Sequence, residues 1–315
     1  MKEMFNKNGI RDMIYCLLSS YLILMVSLYI FPWTVFIMAA PFVVLWVKRT
    51  YIYGLSSFFI MSVSLIFIFD MSSAIFFGFT FLLFIAIMAE TIKRGFSSNK
   101  VILFSVGAII MTVILGLAYN YGLKKIDIIS KFESVIRFAL EENIDNLKNL
   151  NLSEKSLEEF KFVLTKSVDV VIVGLPATIF ILSIAATLVN YLISVNFLRY
   201  LNIGIVDKFE FSRFRLPKNI FIGILVILVS FYVFKIMEFK YLFELQLNIS
   251  AILTSLFFIQ GLAVSDYYIK KFFGLFGRIA VPILTVYFLH LFFIYPVVGF
   301  LDSIFNLRKG ELTKK

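Results

Sequence analysis

Apolar residues run along this chain in long blocks separated by short basic turns. The blocks are Met13 to Phe31, Trp33 to Val47, Tyr51 to Phe69, Ser72 to Ile92, Val101 to Tyr121, Val168 to Phe197, Asn219 to Ile236, Leu247 to Tyr268 and Ile279 to Leu301. A helix needs roughly 20 apolar residues to cross the ~30 Å hydrocarbon core of a bilayer, and most of these blocks supply about that. The pattern therefore predicts an all-α, polytopic membrane helix bundle of eight to nine spans. Trp33 to Val47 would make only about 22 Å of helix, which predicts a re-entrant segment or a locally thin bilayer. The last block is broken by Pro282 and Pro296, which leaves open whether it crosses fully and on which side the C-terminus lies.

One polar stretch, Lys124 to Ser167, interrupts the pattern and carries as many acidic as basic side chains. Within it Phe132, Ile136, Leu140, Ile144 and Leu147 recur in steps of three and four, one stripe on an amphipathic helix. A turn over Asn149 to Leu152 follows. Ser153 then reads as an N-cap, with Leu152 stapled onto Leu157. These signals predict a helical hairpin whose second arm runs on into the next span, kinked at Gly174 and Pro176. The chain thus divides into an N-terminal membrane block (1–123), the hairpin (124–167) and a C-terminal membrane block (168–315).

Composition sharpens this reading. Of 315 residues, 61% are hydrophobic, 39 are Phe and only 16% are charged, which excludes an ordinary soluble globule. The net charge of +10 sits in short loops beside apolar spans, so it predicts membrane orientation and contact with anionic headgroups, and no nucleic acid. Lys48 and Arg49, then Lys93, Arg94 and Lys100, then Arg199 to Lys218, then Lys270, Lys271 and Arg278 fall on one side. Only Lys235 and Lys240 fall in the short loops of the other. The positive-inside rule places the first side and the N-terminus in the cytoplasm of a bacterial plasma membrane and the hairpin outside. The first block is longer than a signal-peptide core and is expected to be retained. Phe209, Phe211 and Phe214 interleave with Lys208, Arg213 and Arg215, a pattern suited to the headgroup region.

Candidate chemistry is sparse. Cys16 is the single cysteine, so neither an intramolecular disulfide nor a thiolate metal site is expected. Glu90 stands before Lys93 and Arg94, and Asp266 before Lys270, at spacings that predict local ion pairs. Asn190, Gln260 and His290 fall well inside apolar blocks. In lipid they are expected to face protein and bond to one another, either as links between helices or as the polar lining of a solute site. A lone His is no metal site. No H-E-x-x-H, P-loop or G-x-S-x-G occurs, so the expectation is no enzyme, no cofactor and no metal.

Several motifs carry a family resemblance: Leu175-Pro176-Ala177, Asn190 with Leu198-Arg199, Phe214-Arg215-Leu216-Pro217, Leu247-Asn248, Gln260-Gly261-Leu262-Ala263, and an ending that includes Gly299, Asp302 and Arg308. Together they resemble the YybS-like family of uncharacterised bacterial multi-pass membrane proteins. The resemblance singles out Pro176, Gly261, Gly299, Asp302 and Arg308, and implies an architecture without a reaction. Asn306 stands where it implies an acidic residue. A looser analogy of span count and short second span runs to the substrate-binding membrane subunits of energy-coupling-factor transporters. Two functions remain: transporter-like binding of an unidentified small solute in the bundle, with a membrane-protein partner supplying energy, or a scaffold or regulator docking envelope proteins. A polar or aromatic-lined cavity reaching one face separates the first from the second.

Overall fold

A computed structural model describes residues 6–68, 71–122, 125, 127–148, 154–204, 210–217, 219–272, 274 and 293–308. No strand occurs among them. The helices are α1 (Lys7–Tyr29), a 3-10 stretch (Pro32–Ile37), α2 (Ala40–Lys48), α3 (Tyr51–Leu65), α4 (Met71–Lys93), α5 (Ser98–Gly122), α6 (Ile128–Lys148), α7 (Glu154–Val173), α8 (Leu175–Tyr200), a 3-10 turn (Phe211–Arg213), α9 (Ile220–Ile236), α10 (Leu242–Phe272) and α11 (Ile294–Phe305). Four of them, α1, α5, α8 and α10, are long and apolar enough to cross a membrane. The Pro32–Lys48 stretch, α3, α9 and α11 are shorter apolar helices. In α9 no residue is buried, and Ile222, Leu225, Leu228 and Tyr232 stand exposed, an apolar surface suited to lipid rather than water.

The second block is not one short span. Pro32 and Pro41 split it into the 3-10 stretch and the nine-residue α2, each with a proline in its first turn. From Phe42 to Val47 every α2 side chain is buried. A helix apolar on all sides belongs in a protein interior, and this one sits inside its unit. The long run through Gly174 is also broken, as its Gly and Pro predict, with α7 ending at Val173 and α8 beginning at Leu175. The predicted turn and cap at 149–153 lie outside the described residues, as does His290. At the start of α6 the structure adds a cap that the sequence reading missed. Asp127 accepts hydrogen bonds from the Ile129 and Ser130 amides at 3.0 and 3.1 Å. These bonds hold its carboxyl below the usual aspartate range.

The chain forms two compact units. The first comprises residues 1–142 and 182–208. Its core joins α2 to Phe58, Met61 and Leu65 of α3 and to Phe84, Ile85, Met88, Ala89 and Ile92 of α4, one stripe at helical spacing. Phe42 meets Phe58 edge to face at 5.4 Å. Asp12, buried on α1, accepts from Lys48 at 2.8 Å and Arg49 at 2.7 Å at the end of α2.

The second unit comprises 143–181 and 209–315. Its centre is the pairing of α10 with α11, made close by two glycines. A Cβ on Gly261 would overlap the Tyr295 carbonyl, and one on Gly299 the Phe257 carbonyl. In lipid, helices associate by such small-residue contacts because no hydrophobic gain separates tails from side chains. Phe257 and Phe300 close the same interface edge to face at 5.4 Å.

Candidate functional site

The two glycines of the α10–α11 interface set the register for a polar cluster at the end of α11. Asn306 terminates that helix in the left-handed conformation at φ 53°, which an Asn side chain tolerates better than most. The chain thereby turns back and brings Arg308 onto Asp302. Arg308 Nη2 donates to Asp302 Oδ2 at 2.6 Å, and both side chains are fully buried. Nη1 of Arg308 donates to the Ser212 carbonyl at 2.6 Å, and Nη2 also to the Phe214 carbonyl at 2.9 Å. Gln260 of α10 donates from Nε2 to Asp302 Oδ2 at 2.7 Å and accepts from the Leu216 amide at 3.0 Å.

Ser212, Phe214 and Leu216 alternate along an irregular segment that ends at Pro217. Such backbone cannot satisfy its own polar groups, and at membrane depth it survives only where protein does so. Arg308 and Gln260 supply those partners. A buried ion pair is favourable only when its remaining donors and acceptors are used, and here they are. Every polar atom of the two side chains makes at least one hydrogen bond. Gln260, Gly261, Gly299, Asp302 and Arg308, separate motifs in the sequence, form one structural latch.

Pro176 belongs to a second device of the same kind. In an unbroken helix the Ala177 amide would donate to the Val173 carbonyl. Instead Ala177 N–H donates to Asn248 Oδ1, and Asn248 Nδ2 donates to the Val173 carbonyl, each at 2.8 Å. The Asn248 amide is spliced into the helical ladder at its break.

Asn190 lies in the first unit and Gln260 in the second, and each bonds to backbone within its own unit. Asn190 is fully buried on α8 in the first unit, and its Nδ2 donates to the Ala186 carbonyl at 2.8 Å and to the Phe36 carbonyl of the 3-10 stretch. Asn190, Asn248 and Gln260 thus do one job. Each completes the backbone of a segment carrying a proline: Pro32, Pro176 and Pro217 respectively. An amide has both a donor and an acceptor to give, and backbone breaks need one or both, whereas another amide does not. That coincidence of amide and proline was the signal available in the sequence.

Other expectations are met. Arg94 Nε lies 2.9 Å from Glu90, and Lys270 pairs with Asp266. The buried carboxylate Asp12 was missed, since its partners Lys48 and Arg49 lie 36 and 37 residues away rather than at i+4, and the pairing of Asp302 with Arg308 was hidden by the left-handed turn between them. Among the described residues no group of His, Cys, Asp and Glu could hold a metal ion.

A cavity of about 390 Å³ opens between α3 and α4 of the first unit. Phe58, Phe59, Val63, Ile66, Phe79 and Leu82 contribute to its wall, with Ser62 and Gly78 at its base. Phe59 and Phe79 are 69% and 70% exposed, so it opens sideways. The Ser62 hydroxyl is buried without a partner among the described residues.

Over residues 18–303 the chain matches the family described as "Predicted membrane protein (DUF2232)", and it belongs to that family. No curated protein and no solved structure matches it.

Proposed function

We propose that this family member is a non-enzymatic, transporter-like binder of a small lipophilic solute, taken up from the bilayer into the groove between α3 and α4. The observation that carries this is the groove itself. Its volume of about 390 Å³ falls in the range of small-molecule sites, roughly 300–1,000 Å³, which are mostly apolar with a few polar groups. Three Phe rings supply the apolar wall and the unpartnered Ser62 hydroxyl a single polar contact. The charge pattern supports a bacterial plasma membrane, eight to nine crossings, a cytoplasmic N-terminus and an outer hairpin over 124–167. Anionic headgroups would meet the basic inner loops, and a membrane-protein partner would supply energy.

The test is photolabelling in lipid nanodiscs with a diazirine-bearing fatty acyl probe, mapped by mass spectrometry. Adducts should concentrate on Phe59, Val63, Phe79 and Leu82. Ser62→Phe, which fills the base of the groove, should remove them while leaving α10 unlabelled as before. Labelling spread evenly over all exposed apolar helices, and indifferent to Ser62→Phe, would defeat the reading.

The alternative, a scaffold or regulator docking envelope proteins, draws on the latch. Asn248, Gln260 and Arg308 spend their hydrogen bonds on internal backbone, which makes the second unit a rigid platform rather than a solute site.

A further inference from the structure

Around the latch, three described cations pair with carboxylates. Arg308 has Asp302, Lys270 has Asp266, and Arg213 has Glu210 at 2.8 Å. Arg215 has no carboxylate partner among the described residues. Its Nη1 donates to the neutral Asn306 Oδ1 at 2.6 Å, while its Nε and Nη2 are buried without a partner among the described residues. Those two nitrogens share one edge of the guanidinium. It is the edge that grips two oxygens of a carboxylate or phosphate in parallel. Arg215 is therefore oriented by one bond, unneutralised, and left with its oxyanion-binding fork unused.

A cation withdrawn from water without a counter-charge is strongly disfavoured, so the arrangement calls for an anion. The residue itself is only partly buried, and its neighbours Arg213 and Pro217 are exposed, so the fork lies a short way beneath the surface. Phe211 and Phe214 flank it, apolar side chains of the kind that settle among headgroups. The oxyanion most abundant beside a membrane protein is the phosphate of a lipid.

We propose that Arg215 binds a phosphate group on its Nε and Nη2 edge, with Asn306 holding the guanidinium in place. The site lies in the second unit, apart from the α3–α4 groove, and stands or falls independently of it.

The experiment uses purified full-length protein in micelles of an alkyl maltoside, a detergent without phosphate. Phosphatidylglycerol is titrated in one arm and inorganic phosphate in another, with retained ligand read by native mass spectrometry. The wild type should retain phosphatidylglycerol about tenfold more tightly than Arg215→Gln, the scale set by losing one charge-assisted pair. Arg215→Lys should recover only part of this, since it keeps charge without the fork. Arg213→Gln should leave retention unchanged. Asn306→Asp supplies an internal carboxylate and should displace the ligand from a protein that keeps Arg215, which covers the case of Arg215→Gln failing to fold. Binding of phosphatidylglycerol alone marks a lipid site, and binding of inorganic phosphate as well marks a site for the free anion. Equal retention of both probes by wild type, Arg215→Gln and Asn306→Asp would overturn the proposal. So would crosslinking of Arg215 to an acidic side chain of a copurified protein.

Discussion

The two units treat buried polar groups differently. In the second, Asn248, Gln260 and Arg308 bond to backbone groups where the chain is broken or irregular, and Asp302 pairs with Arg308. In the first, Ser57, Ser105, Thr187 and Ser194 are fully buried, yet their hydroxyl oxygens have no partner among the described residues, nor has Asn190 Oδ1. Its core is the apolar filling around α2, with one buried carboxylate, Asp12, paired to Lys48 and Arg49. Where the chain must break inside an apolar environment, polar bonds are obligatory. Where helices remain whole, polar atoms are dispensable, because the backbone satisfies itself.

The largest effect should come from the interface on which the second unit's network is built. Gly261→Leu drives a side chain into the Tyr295 carbonyl, an obstacle that cannot rotate away. Little folded protein should survive by size-exclusion profile. A monodisperse, wild-type-like variant would show that the latch does not need this close approach.

Breaking the ion pair comes next. Arg308→Met leaves Asp302 buried and uncompensated and should cost about 3–5 kcal/mol in unfolding free energy. Asp302→Leu combined with Arg308→Met should recover much of it, since an apolar pair carries no stranded charge. If the double variant is no better than the single one, the backbone bonds from Arg308 to Ser212 and Phe214 carry the latch.

The amides then compare the units directly. Asn248→Leu strands both the Ala177 amide and the Val173 carbonyl and should cost about 1–3 kcal/mol. Asn190→Leu removes bonds to carbonyls only, and its own oxygen has no partner to lose. Its cost should be near 0.6 kcal/mol, the average for an intramembrane hydrogen bond. Equal costs would erase the contrast between an amide that serves both a donor and an acceptor at a break and one that serves carbonyls alone.

The smallest effect lies at the exposed Asp127 cap. Its folded-state carboxyl sits below the usual aspartate range, held there by the bonds from Ser130 and Ile129. The cap's contribution is therefore complete above the ordinary value of about 3.9 and is lost as pH falls through the lowered one. Hydrogen exchange at Ile129 and Ser130 should be slowed at neutral pH and released in that acid window. Asp127→Asn should exchange alike at both.

The positions of the helices could be read from the sequence because helix formation in an apolar medium is a local matter. The runs ending near Tyr29, Lys93, Gly122 and Tyr200 needed only length and hydropathy, and the break at Gly174 needed only its Gly and Pro. Asn190, Gln260, Pro176, Gly261, Gly299, Asp302 and Arg308 were also visible as unusual residues for their surroundings. Their partners were not. Asp302 meets Arg308 only through the left-handed turn at Asn306, Gln260 meets Leu216 across 44 residues, and Asn248 meets Ala177 across 71. Those pairings depend on helix approach and register, which the fit of Gly261 against Tyr295 decides. The same holds for the burial of α2 and for Arg215, whose unused edge becomes visible only when every neighbouring charge has been matched in space.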